Sequence, residues 1–501
     1  MRLNILPEGW VNVTLADICS KPQYGYTTKS QLDGNVKFLR TTDITKGFLD
    51  WDSVPYCEEP PTDLYKYQLY DRDIVISRAG SIGFSALIKN PPEKVVFASY
   101  LIRFKPSESI SEVFIKHFLN SHDYWTQLRL MSAGNAVQNV NAQKLSILNV
   151  PLPPMPEQKI IADKLDELLA RVESIKARLV NIPEVLKRFR QSVLNAAVNG
   201  NLTEEWRNNN CCSHNPTLNI QIEKKKWVTK NPKHNEVKRV IKRLKEFNGS
   251  QNEVGEKLPE GWSWQKLEDS VLMIVDCHNK TAPYIESGIP IVRTSNIRDG
   301  NLNWEGMKYV GREIYEYWSR RCPPEAGDII FTREAPMGEA TIIPQGQQLC
   351  LGQRTMLIRT IEKYVKAKFI LTVLMSPSFR TRAESFAVGT GVKHYRVGDV
   401  SNLFIPVPPT EEQNEIVRRV DQIFGYADSI QQMTDSALER IDNMTHSILA
   451  KAFRGELTAQ WREENSELIS GLNSAEALLK RIAVEKMECS ISKKRVKKSN
   501  H

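Results

Sequence analysis

The chain has 501 residues, of which 41% are hydrophobic and 25% charged, with a formal net charge of +9. That balance excludes wholesale disorder, and the length exceeds one compact core, so about two to four domains are expected. No apolar run of about 18 residues occurs, which excludes a membrane-spanning helix.

The start, Met1-Arg2-Leu3-Asn4, lacks the apolar core of a signal peptide. The eight cysteines and eight histidines are scattered. There is no C-x-x-C pair, and the adjacent Cys211 and Cys212 cannot close an ordinary bridge or a zinc site. A cytoplasmic, reduced protein without metal is expected. Residues 1–155 read as a mixed globular domain. It opens on Leu6-Pro7-Glu8-Gly9-Trp10, continues through Leu39-Arg40-Thr41-Thr42-Asp43-Ile44, and reaches a β-branched run at Asp73–Ser77 followed by Arg78 and Gly83. Pro151-Leu152-Pro153-Pro154 ends it.

A different pattern then takes over. From Pro156 and Glu157, suited to a helix first turn, apolar residues fall at Ile161, Leu165, Leu168, Val172, Ile175 and Leu179 and continue to Ala196. Steps alternating four and three predict a coiled-coil helix over 156–200, roughly 60 Å long at 1.5 Å per residue. Pro183 should kink it. Residues 201–257 are a basic linker containing Lys224-Lys225-Lys226, Lys238-Arg239 and Lys242-Arg243. With the basic end of the tail, Lys493 to Lys498, these clusters favour a polyanion.

The chain is then written again. Leu258–Trp262 repeats Leu6–Trp10, 252 positions on; Arg293–Ile297 repeats Arg40–Ile44; Asp328–Arg333 repeats Asp73–Arg78; and Pro408-Pro409 with Glu412-Gln413 repeats Pro153-Pro154 with Glu157-Gln158, 255 positions on. The seam recurs at Ile416, Val420, Ile423 and Ile430, and Gly200-Asn201-Leu202-Thr203 with Trp206-Arg207 recurs as Gly455-Glu456-Leu457-Thr458 with Trp461-Arg462. Two units of about 250 residues are too long for a solenoid repeat. The expected fold is α+β: two mixed α/β domains, 1–155 and 258–410, joined by long helices, 156–200 and 411–456, forming an antiparallel coiled coil with internal pseudo-two-fold symmetry. A C-terminal tail, 457–501, follows.

Two readers held about one turn of B-DNA apart suit a split duplex target, asymmetric because the readers differ. The repeat also sorts residues. Those shared by both units hold the fold or touch phosphate, whereas those that differ can choose bases. Arg40, Thr41 and Arg78, with Arg293, Thr294 and Arg333, are candidate phosphate contacts, the arginines being alternatively buried ion-pair partners. Ser81, Asn135, Gln138, Asn139, Asn296, Lys393, His394 and Arg396 are candidate base-reading residues, since amide, imidazole and cationic side chains can meet base edges.

The order of motifs resembles the specificity (HsdS) subunits of Type I restriction enzymes: L-P-x-G-W, then R-T-x-[DN]-I, then G-D-I-[LIV]-x-[ST]-R, then P-P-x-x-E-Q. One departure is Arg72, where the second unit has Gly327. The resemblance implies two target recognition domains in a bacterial restriction-modification complex with double-stranded DNA, two modification (methyltransferase) subunits and two restriction subunits. It implies no cofactor in this chain, the partners supplying S-adenosylmethionine, ATP and Mg chemistry and flipping out the adenines to be methylated. No phosphate-binding G-x-x-x-x-G-K-[ST] loop is present, and Asn90-Pro91-Pro92-Glu93 lacks the aromatic ring of a base-stacking methyltransferase motif. No catalytic and no metal-binding residue is therefore named. The alternatives are a stand-alone nuclease with an unrecognised Mg site and a coiled-coil scaffold.

Overall fold

The computed structural model describes residues 6–132, 139–210, 215–249, 257–387 and 394–499. Six helices matter most: α1 (Met155–Val180), α2 (Ile182–Val198), α3 (Thr217–Lys230), α4 (Val237–Glu246), α5 (Thr410–Phe453) and α6 (Ala475–Ser499). The chain divides into two compact units, Met1–Val180 with Asp435–His501, and Asn181–Thr434. Each unit holds one reader, one of the helices α1 and α2, and a part of α5.

The readers share a topology. In the first unit a four-stranded antiparallel sheet runs in the order Gln23–Tyr24, Leu101–Phe104, Ile74–Ser77, Ser85–Leu87; in the second, Met273–Asp276, Thr355–Arg359, Ile329–Thr332, Ala340–Ile342. Ile74–Ser77 and Ile329–Thr332 are buried at every position, which is why their sequences run apolar instead of alternating. The residue before each of these motifs has a left-handed backbone, φ 67° at Arg72 and 93° at Gly327. Arg72 is held in that conformation by its guanidinium, which donates to Glu112 and to the Ile110 carbonyl. A two-stranded ribbon closes each reader, Val11–Thr14 with Asn149–Leu152 and Ser263–Lys266 with Phe404–Val407.

The helices pair antiparallel within each unit. As α1 rises from Lys164 to Lys176, its partners descend from the Leu457 carbonyl to Asp442. In the second unit Arg190 meets Asp428, and Arg419 donates to the Leu202 carbonyl. Ile161, Leu165, Val172, Ile416 and Val420 are buried as the heptads predict, and Leu168, Leu179 and Ile423 are partly so. Ile175 and Ile430 depart from the expected seam, being 50% and 44% exposed. The seam fails near the end of α1. Pro183 has no N–H for the Leu179 carbonyl, so the expected kink is a break: α1 ends at Val180 and α2 starts at Ile182. A heptad stripe does not stay on one face across a restart.

The remaining motifs form one buried clasp, built twice. The Glu157 carboxylate accepts from Trp10 Nε1 (2.8 Å), Thr458 Oγ1 (2.6 Å) and Arg462 Nη1 (2.5 Å). In the second unit Glu412 accepts from Trp262 Nε1 (2.8 Å), Thr203 Oγ1 (2.7 Å) and Arg207 Nη1 (2.5 Å). Gly455, at φ 74°, packs so closely on Pro7 that a Cβ there would lie 2.3 Å from its ring, and Gly200 meets Pro259 the same way. The neighbouring glutamine ties helix to reader: Gln158 donates to the Pro153 carbonyl and accepts from Ser111 N, as Gln413 does with Pro408 and Lys366 N. The segment that completes the first reader thus comes from beyond residue 454.

The expected linker and tail are also folded against the readers. Lys486 Nζ of α6 donates to the Ala16 and Asp17 carbonyls, and Lys224 Nζ of α3 donates to the Glu268 and Asp269 carbonyls, 252 positions on. Ile220 joins the second core, and Leu478 and Ile482 the first. Lys224 is therefore not part of a polyanion-binding cluster. Burial pushes its amine down to about 8, against the pull of Asp269 and Glu268.

Two expectations follow. Removing Arg462 leaves a buried carboxylate uncompensated, so Arg462→Ala should cost the first unit about 3–5 kcal/mol in urea unfolding and leave the second unit unchanged; equal losses in both units would contradict the clasp. Lys224 binds its proton more weakly folded than unfolded, so the unfolded chain holds more protons between pH about 8 and the ordinary 10.5. The stability of the protein relative to Lys224→Met should therefore rise with pH across that window, and a flat difference would rule out the buried amine.

Candidate nucleic-acid interface

In each sheet the central strand ends beside the start of an antiparallel neighbour, Ser77 opposite Leu101 and Thr332 opposite Thr355. The chain then turns through Gly83 or Gly338, both at positive φ. At Gly83 a side chain is impossible for a second reason, since its Cβ would lie 2.1 Å from Leu128. The glycine-led loop returns to the same place. Val140 N donates to the Arg78 carbonyl, and Tyr395 N to the Arg333 carbonyl. One end of each sheet thus collects the turn after the central strand and the residues that follow the glycine-led loop.

The second reader adds a third segment there, because Thr294 Oγ1 donates to the Ala335 carbonyl, 2.9 Å, and the backbone of Glu334 pairs with that of His394 in an isolated antiparallel β-bridge. In the first reader Tyr24 and Tyr100 stand partly exposed at this end. The Tyr24 hydroxyl accepts from Ala142 N, 3.0 Å, fixing its ring below the returning loop.

The four shared arginines are not equivalent. Arg40 forks onto Asp43, with Nη2 at 2.9 Å and Nε at 3.1 Å, and that hydrogen bond, against desolvation, holds its guanidinium more firmly protonated. Arg293 meets Asn296 at the same spacing, and among the described residues no carboxylate pairs with it. Its Nη2 donates to the Gly306 carbonyl, and its buried Nε has no acceptor. The other pair inverts this arrangement. Arg333 lies 3.4 Å from Asp276, whose pKa burial raises while Arg333 and Arg321 pull it down. Arg78 instead lies 5.0 Å over the Tyr24 ring and reaches Asn139 Oδ1 at 3.4 Å. Tyr24 stands 252 positions before Asp276. Each reader therefore has one arginine neutralised by an acid and one with only neutral partners among the described residues.

Residues 7–184 and 276–440 match the family described as the Type I restriction modification DNA specificity domain. The chain is 34% identical to the EcoKI specificity subunit of Escherichia coli K12, over the full length of both. It belongs to the Type I restriction-modification specificity subunits. Other relatives are the EcoBI subunit of Escherichia coli, 32% identical over 96% of this chain and 93% of that one, and the StySPI subunit of Salmonella potsdam, 32% identical over 97% of each. Among solved structures, the HsdS subunit of Thermoanaerobacter tengcongensis shares the fold, with a TM-score of 0.53 at 18% identity over 90% of this chain and 98% of that one. A chain from a study of the assembly and conformational transition of the type I R-M system does too, with a TM-score of 0.56, also at 18% identity, over 90% and 99%.

Within this specificity subunit, Ser81 and Arg396 are exposed near the ends of the central strands, and Asn139 and His394 lie where the glycine-led loop returns. Asn135, Gln138 and Lys393 lie outside the described residues. Asn296 corrects an expectation. It is buried, with Oδ1 accepting from Arg293 N and Nδ2 donating to the Asn303 carbonyl, so its amide shapes the turn and cannot meet a base edge. Thr41 opens the short helix Thr41–Ile44. Tyr24, Tyr100 and Asp276 were not picked out from sequence, although the Tyr24–Asp276 mismatch at equal spacing was a visible signal.

The division of the arginines is testable. Arg40→Ala strips Asp43 of its guanidinium and should cost about 1–2 kcal/mol of stability. Arg78→Ala should cost less than that and lower the salt dependence of DNA binding by about one phosphate's worth of released counterion. Matching stability losses for the two variants would refute the division.

Proposed function

We propose that this specificity subunit chooses an asymmetric, split duplex site, each reader contacting one half, and carries no catalysis of its own. It assembles with two modification subunits and two restriction subunits in the cytoplasm. Those partners bring S-adenosylmethionine, ATP and Mg chemistry and flip out the adenines that are methylated. The observation that supports this reading is the inverted pairing at one shared place: Arg78 on Tyr24 in the first reader, Arg333 beside Asp276 in the second. A common scaffold supplies the same docking geometry at both ends, while unlike groups at equivalent positions give each end a different preference. Arg78 in the first reader and Arg293 in the second are the phosphate cations, since neither is spent on an acid. Ser81, Asn139, His394 and Arg396 sit where base edges are read. Among the described residues, no helix is long and apolar enough to cross a membrane.

Exchanging residues 1–155 for the first reader of a relative, in the complex with modification subunits, tests this reading. The mapped methylated adenines should move to a site changed in one half only, and a change in both halves would refute independent readers. The purified chain incubated with DNA and Mg should leave the DNA intact, whereas cleavage without partners would favour a nuclease.

A further inference from the structure

We infer that the hairpin of α3 and α4 is a second DNA-contacting surface, taking the phosphate backbone of the duplex that flanks the half-site of the second reader. The inference rests on the specificity reading above and extends the contacts beyond the recognised bases.

The hairpin has two unlike faces. Inward, Ile220 and Val240 enter cores with Ile274, Met273 and Ile330. Outward, α3, α4 and the turn between them present exposed lysines. The acids nearby are already engaged: Glu223 with Lys226, Glu246 with Arg243, and the buried Glu236 with Arg321. Lys225, Lys230, Lys233, Lys238 and Lys245 have no ion pair among the described residues. A face of like charges repels itself and is stabilised by a polyanion, each neutralised phosphate releasing counterions.

The position of the turn selects DNA over another acidic partner. Asn235 Nδ2 donates to the Arg320 carbonyl, and Arg321 bridges Glu236 at 2.8 Å to the Asp276 carbonyl at 3.4 Å. Asp276 is the residue that faces Arg333 at the reading end. The basic face is therefore continuous, through Arg321, with the end of the sheet that reads DNA. Beside it the Arg320 guanidinium lies 4.0 Å over the half-exposed Tyr317 ring, and His278 stacks on Trp318 at 4.2 Å. Among the described residues the first reader has only the single helix α6 in the corresponding place. The contact made by this hairpin should thus lie on the second reader's side of the target.

The triple variant Lys230→Ala, Lys233→Ala, Lys238→Ala tests this in the complex with modification subunits. On a duplex with long flanks, its salt dependence of binding should fall by about 2–3 in slope, at about 0.9 for each phosphate no longer neutralised, with the preferred sequence unchanged. Trimming the duplex on one side should remove the difference between variant and parent, and trimming the other side should preserve it. Equal slopes on long duplexes, or a difference indifferent to trimming, would overturn the inference. So would loss of the modification subunits from the variant in gel filtration, which would mark the hairpin as a protein-docking face. A parent complex without site preference would instead overturn the specificity reading itself.

Discussion

Everything in each unit is hung on one buried carboxylate. A glutamate removed from water is costly unless several donors converge on it, and Glu157 and Glu412 each draw an indole, a hydroxyl and a guanidinium. Those three donors come from the opening of a reader and from the segment after the partner helix. Satisfying one charge therefore fixes where a reader begins, where its helix starts and where the returning chain must dock. The pairing of helices and the placement of the reading loops rest on that arrangement.

The same constraint makes the readers interchangeable in frame and free in detail. The clasp and the Pro-Pro-x-x-Glu-Gln entrance draw on none of the loops that follow the central strand, so substitutions among those loops need not disturb them. The arginines show the freedom this leaves. Asp43 neutralises one arginine of the first reader and Asp276 one of the second, but at different positions. Two readers with the same four motifs thus offer their positive charge at different points of one surface.

Much of this was legible in the sequence, because a repeat carries its own control. The two copies gave the readers, the heptads gave Ile161, Leu165 and Ile416 as buried seam residues, and Pro183 marked the break. What escaped depended on groups distant in sequence. Nothing near Asn296 reveals that its amide turns inward, since the acceptor and donor it satisfies are backbone groups. The basic composition of 201–257 read as a linker because its apolar residues are few, and only the packing of Ile220 and Val240 shows two helices laid on a sheet. Lys224 looked like part of a basic run, and its burial follows from carbonyls more than forty residues away. Ile175 and Ile430 followed the heptad but are half-exposed, and only the break after Val180, close beyond Ile175, was marked in the sequence by Pro183.

The division of the chain also sets an order of events during synthesis. Residues 181–434 are contiguous, so the second unit has all its parts once α5 has left the ribosome. The first unit is discontinuous, and Glu157 waits for Thr458 and Arg462. Domains made first ordinarily fold first. Here the clasp of the N-terminal reader must wait for the far end of its own chain, leaving Glu157 with Trp10 as its one early donor while the later reader completes. Translation that stops soon after residue 434 would release a chain whose second clasp is closed and whose first is open.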